Sequence, residues 1–129
     1  MMRAWRRRVG CMVVIGALFL AGCDSGPSGP GAFEGIVTGE GLGGVLLQVD
    51  GPGIRGFTAL GDSRVYGAPD ADRPARHRVI VIAPSSGDLR FAIDVDDLDM
   101  EGPIITVLQA TRADNRLVTP SAASVRIVR

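Results

Sequence analysis

The 129-residue chain has no lysine, one histidine, two cysteines, and an aromatic share of only 5%. Each shortage removes a class of chemistry. Without lysine there is no S-x-x-K nucleophile arrangement, and all 14 basic residues are arginine. The cysteines, Cys11 and Cys23, both lie near the N-terminus, so the rest of the chain has no thiol for a disulfide, a zinc site or a nucleophile. The single histidine, His77, sits in "ARHRV" between two arginines and is expected as a solvated strand-end residue. Ser85 and Ser86 lie in the turn after that strand, but no G-x-S-x-G elbow accompanies them. No catalytic residues are expected. Aromatics beyond residue 31 are limited to Phe33, Phe57, Tyr66 and Phe91, which is little for stacking sugars and leaves a core of Val, Ile and Leu.

The N-terminus is better furnished. Arg3, Arg6, Arg7 and Arg8 form a basic head, and Val9–Leu20 is an uncharged apolar run. A membrane span needs ~20 residues, so this run has the length of a secretion signal instead. It ends in Leu20-Ala21-Gly22-Cys23 and passes at once into Gly, Ser and Pro. This arrangement resembles the bacterial lipoprotein signal with its lipobox. The resemblance implies cleavage before Cys23, so that residues 1–22 leave as a signal peptide and Cys23 carries lipid. It also implies attachment to the cell envelope through that lipid, because two or three acyl chains exceed what stable anchoring requires. Asp24 at the following position holds lipoproteins in the inner membrane of enteric bacteria. The lysine-free, Gly- and Ala-rich usage suits a GC-rich genome outside that group, and the choice of membrane stays open.

Beyond the signal, ten arginines face fourteen acidic residues, a formal charge of −4. A mildly acidic chain without a basic cluster is a poor match for nucleic acid. Residues 23–32, with Gly26, Pro27, Gly29, Pro30 and Gly31, read as a flexible tether that cannot bury enough apolar surface to order itself. Residues 33–129 suit one domain, expected to fold without tether, lipid or disulfide.

In that domain, short apolar runs alternate with Gly, Pro, Asp and Ser. Strands are expected at Phe33–Thr38, Gly44–Val49, Ile54–Leu60, Arg64–Tyr66, Arg78–Ala83, Leu89–Val95, Ile104–Thr111 and Ser124–Val128. The clearest is Leu89–Val95, whose odd-numbered residues are apolar while Arg90 and Asp94 face the other way. Val79-Ile80-Val81-Ile82 is apolar on both faces and β-branched throughout, which suggests a central strand. No helical period runs through this region. The fold class is all-β, an antiparallel sandwich. The cadence of Val45–Ile54, with "RVIVIAPSSGDLRFAID" and the closing "SVRIV", resembles the cohesin-like branch of immunoglobulin-like sandwiches. Members of that branch hold a protein partner on one face, but no residue of this chain inherits that role.

Two further motifs invite chemistry. Gly39-Glu40-Gly41-Leu42-Gly43-Gly44 fits G-x-G-x-x-G, but a dinucleotide site needs a helix where Val45–Val49 forms a strand. A glycine-rich hairpin is expected in its place. The acidic stretch "DVDDLDMEGP" puts Asp97, Asp99 and Glu101 at alternate positions before Gly102, the opening of a calcium loop. Leu108 stands where the bidentate glutamate belongs, so these three are weak metal candidates and a solvated loop is the expectation. No cofactor is expected. The sequence therefore points to a lipid-anchored, non-catalytic envelope protein that binds a protein partner or is structural. A calcium- or carbohydrate-binding module is the alternative, and a small enzyme ranks last. Replacing Cys23→Ser is expected to abolish labelling by a palmitate analogue and leave the precursor uncut. Normal labelling of that variant would refute the anchor.

Overall fold

Alternation of side chains decides most of the architecture. In the computed structural model, which describes residues 28–84 and 88–129, nine strands and one short 3-10 turn follow one another. The signal segment and residues 23–27 of the expected tether, Cys23 and Asp24 among them, lie outside the described residues, as do Ser85 and Ser86. The strands are β1 (Gly31–Thr38), β2 (Leu42–Asp50), β3 (Ile54–Ala59), β4 (Arg64–Pro69), β5 (Arg76–Ile82), β6 (Leu89–Val95), β7 (Ile104–Arg112), β8 (Leu117–Val118) and β9 (Ser124–Val128). They form two antiparallel sheets, ordered β3-β6-β1-β9 and β4-β5-β2-β7-β8. The sheets pack face to face as a sandwich.

Each inner face comes from a period of two. In β6, Leu89, Phe91, Ile93 and Val95 turn inward, and in β2, Val45, Leu47 and Val49 do. In β5 the inward set is His77, Val79 and Val81. β5 is a central strand, as its apolar run led one to expect, with β4 and β2 on either side. Ile80 and Ile82 point outward and remain about two-fifths exposed, because no third layer lies over the second sheet among the described residues.

The chain crosses between sheets repeatedly, and β4–β5 and β7–β8 are the hairpins. The glycine-rich turn after β1 is therefore not a hairpin, as its sequence led one to expect. It is a corner that carries the chain from the first sheet to the second, with Gly41 at φ +64°. The expected tether is also shorter at its far end. Gly31 and Ala32 already belong to β1, paired with Val95 and Asp94, and the Gly29 N–H donates to the Asp97 carboxylate.

The core is closed by large side chains over small ones. Gly35 in β1 lies directly opposite Phe91 in β6. A Cβ placed on Gly35 would come within 2.5 Å of the Phe91 ring, so the ring occupies the space a side chain would need. Phe91, Phe33, Leu47, Leu89 and Ile93 are at most 2% exposed. Fully burying each such side chain contributes about 1.5–3 kcal/mol.

On the outer side of β6, Arg90 pairs with Glu34 across the strand boundary in an exposed ion pair. Pairs of this kind contribute about 0–1 kcal/mol. Phe91→Ala is expected to cost about 3–5 kcal/mol, a large part of the ~5–15 kcal/mol available to a domain. Arg90→Ala is expected to cost under about 1 kcal/mol. Urea unfolding of both variants in a soluble form beginning at Ser28 checks this. Equal losses would mean that the two faces of β6 are misassigned.

Candidate functional site

The acidic loop is used up locally. Asp97 Oδ1 accepts hydrogen bonds from the backbone N–H groups of Asp99 and Gly29, each at 2.9 Å. Those two donors hold its carboxyl below the usual carboxylate range, with Asp99 the stronger cause. The Leu98 N–H donates in turn to the Gly29 carbonyl at 2.8 Å, so the loop fastens the residues that lead into β1. Asp94 accepts from the Thr58 hydroxyl, and Asp96 stands 3.5 Å from Arg55. Asp97, Asp99 and Glu101 are not brought together. Among the described residues no three His, Cys, Asp or Glu side chains converge where they could hold a metal ion.

The two outer faces of the sandwich differ in kind. On the first sheet, Glu34 meets Arg90 and Thr58 meets Asp94, so polar groups satisfy one another. On the second sheet, Tyr66, Ile80, Ile82 and Leu46 lie side by side across β4, β5 and β2, as their registers require. Leu117, 65% exposed, stands on the same face at the far edge of the sheet, beyond Thr111. A shallow groove of about 220 Å³ runs over Gly44, where the missing side chain leaves a dip between Ile82 and Thr111. Arg64 and Arg78 are exposed on the same face. Its five strands contain a single acidic residue, Asp50, and that carboxylate is taken by Arg76 at 2.8 Å and by Gln48 at 2.8 Å. The Arg76 hydrogen bond is the main cause holding Asp50 below its ordinary value.

A third feature lies where the edge strands of the two sheets meet. A cleft of about 360 Å³ opens between β3 and β4. Phe57 and His77 form its interior, with the rings 5.5 Å apart and edge to face. Gly67 sits against the Phe57 ring, leaving no space for a side chain at that position. Ile54, Pro69 and Pro74 supply apolar walls, and Arg55 stands at the rim. Arg55 is the extra residue of a β-bulge, since the register between β3 and β6 slips between Ile54 and Gly56.

His77 is thus not the solvated residue that its arginine neighbours implied. It is 8% exposed, and its Nδ1 is sealed from solvent without a hydrogen-bond partner among the described residues. The sequence did contain the signal. His77 shares parity with Val79 and Val81, which points it inward, whereas Arg76 and Arg78 share parity with the outward Ile80. Known protein families, characterised proteins and solved structures contain no match to the chain.

Burial lowers the His77 pKa below its ordinary 6.5. The unfolded chain then takes up the proton first on acidification. The contribution of neutral His77 to stability is fully present above about pH 6.5 and is lost as pH falls toward the folded-state value. Asp50 and Asp97, shifted down from 3.8, act only at lower pH. The urea midpoint of the unaltered protein is therefore expected to fall between about pH 7 and 5, and His77→Phe is expected to flatten that slope. Identical slopes would exclude His77 as the cause.

Proposed function

We propose that this is a lipid-anchored cell-envelope protein whose non-catalytic β-sandwich, of the immunoglobulin-like and cohesin-like kind, docks a protein partner. The lipobox and Cys23 support the anchor. The observation that carries the docking role is the contrast between the outer faces. The first sheet carries the polar pairs Glu34–Arg90 and Thr58–Asp94 beside Val128 at 39% exposure, while the second leaves Tyr66, Ile80 and Ile82 side by side in solvent at 59%, 44% and 39%. Contiguous apolar surface of this sort, rimmed by charge, is characteristic of interaction sites.

The charge on the rim narrows the partner's chemistry. Arg64 and Arg78 flank the patch, and its one acid is already neutralised by Arg76. A complementary surface is apolar at its centre and acidic at its edge. Such a face belongs to another envelope protein, within reach of a tethered domain.

A photo-crosslinking residue placed at Ile80, in cells of the source bacterium, is expected to give a discrete protein adduct. The same residue at Thr58, on the opposite face, is expected to give none. Ile80→Ser is expected to remove the association while changing stability by less than about 1 kcal/mol, since the position is partly in solvent. Adducts of equal yield from both faces, or lipid adducts alone from position 80, would contradict the reading.

A further inference from the structure

We infer that a second copy of this chain pairs with the free edge of β7, antiparallel and about a two-fold axis, so that two five-stranded sheets become one. An edge strand presents unpaired N–H and C=O groups that template another strand, and proteins blunt such edges by shortness, charge, proline or a bulge. Each of the other edges has such a device. β8 is only Leu117–Val118. β9 carries the exposed Arg126 at its centre. β4 ends in Pro69, and β3 is bulged at Arg55. The edges of β3 and β4 also lie against each other, with Gly67 on the Phe57 ring.

β7 has none of these before a bulge at Leu108. β2 pairs along one side of it from Ile104 to Arg112. On the other side β8 reaches only Ala110 and Thr111, so among the described residues no strand pairs there with Ile104–Leu108. That run, Ile104-Ile105-Thr106-Val107-Leu108, contains no charge, no proline and no glycine, and all but Leu108 are β-branched. Ile104 is 70% exposed and Thr106 is exposed beside it. Ile105 and Val107 pack against the core but are only partly covered. An uncharged run of this kind on an open edge is what sequences normally interrupt. Left whole, it calls for a strand beside it.

The run fits itself. Across a two-fold axis, whatever residue of one copy meets on the other is met in return. With the axis at Thr106, Thr106 faces Thr106, and Ile105 faces Val107 on either side. Threonine pairs and β-branched pairs across strands are favourable, and no like charges meet. The same operation at the centre of β9 would set Arg126 against Arg126. A charged partner strand, for its part, finds no opposite charge on Ile104–Leu108 to select it. The ends agree as well. Pro103, with no N–H to donate, closes the ladder on one side, and the incoming strand stops on the other where Val118 of β8 begins. Pairing on this edge sets the outer faces of the two second sheets side by side, though it does not depend on the docking role of those faces.

The test is sedimentation velocity of the full-length protein in detergent, from about 10 μM to 1 mM, which spans the affinities of small interfaces. A reversible monomer–dimer equilibrium is expected, with hydrogen exchange of the 104–108 amides slowing as dimer forms. Thr106→Lys and Thr106→Glu each set like charges against each other at the axis, and each is expected to weaken the dimer by about tenfold or more. Mixing the two variants is expected to restore it as a heterodimer, which misfolded variants could not do. Ser124→Lys, on the edge of β9, is expected to leave it unchanged. A protein that stays monomeric throughout, a dimer that survives Thr106→Lys, or a mixture that fails to associate would each overturn the inference. So would slow exchange of the 104–108 amides in the monomer, because the chain's own N-terminal segment would then cover the edge.

Discussion

The contact between Phe91 and Gly35 holds the sandwich to one geometry. The residues beyond the N-terminal segment contain no cysteine, so nothing covalent fixes the spacing of the sheets. That task falls to the buried side chains, and Phe91 is among the largest of them. Its ring lies over the backbone of β1 because residue 35 has no Cβ to displace it. Val37 and Phe33, on either side of Gly35, then face the same interior. Once this pair sets the depth of the first sheet, Val79, Val81, Leu47 and Val49 of the second have a defined surface to meet. The aromatic shortage makes the arrangement sensitive, since few other large side chains could fill the same volume.

The candidate sites inherit their form from this packing. The ring of Phe57 stands 6.5 Å from that of Phe91 and continues the inner layer to the sandwich edge. There it meets His77 and Gly67 rather than another aliphatic residue, and the layer ends in a cleft instead of a seal. The outer faces diverge for a simpler reason. With most inward positions given to Val, Leu, Ile or Phe, the outward positions are free to differ. On one sheet they include the pairs Glu34–Arg90 and Thr58–Asp94, and on the other they include Leu46, Tyr66, Ile80 and Ile82.

Much of this was legible in the sequence. Leu89–Val95 announced its buried face by strict alternation, and the strand positions emerge close to where apolar runs and turn residues placed them. β8 escaped because two residues show no period. Arg64–Tyr66 continues to Pro69 because β5 templates it, and β4 is an edge strand that tolerates a proline. Gly31 and Ala32 look like tether by composition, and only pairing with Val95 and Asp94 recruits them into β1. Sheet membership was hidden altogether. Nothing local in Gly39–Gly44 distinguishes a hairpin from a corner between sheets, because that depends on which distant strands pair. For His77, chemical neighbours argued one way and parity the other, and parity prevailed because pleating sets direction regardless of the flanking charges. The cleft around it is lined from within residues 54–77, but it forms because β3 and β4 belong to different sheets, which no spacing in the sequence marks.

The most direct measurement is a double-mutant cycle between Gly35→Ala and Phe91→Leu, followed by urea unfolding. Adding a methyl group beneath the ring forces overpacking, which typically costs about 1–3 kcal/mol. Trimming the ring to leucine costs stability by itself but opens the space that the new methyl group needs. The two changes are therefore expected to compensate, with the double variant more stable than the sum of the single losses allows, by about 1 kcal/mol or more. Strict additivity would show that Phe91 does not depend on the gap at Gly35, and would contradict this account of how the sandwich is held.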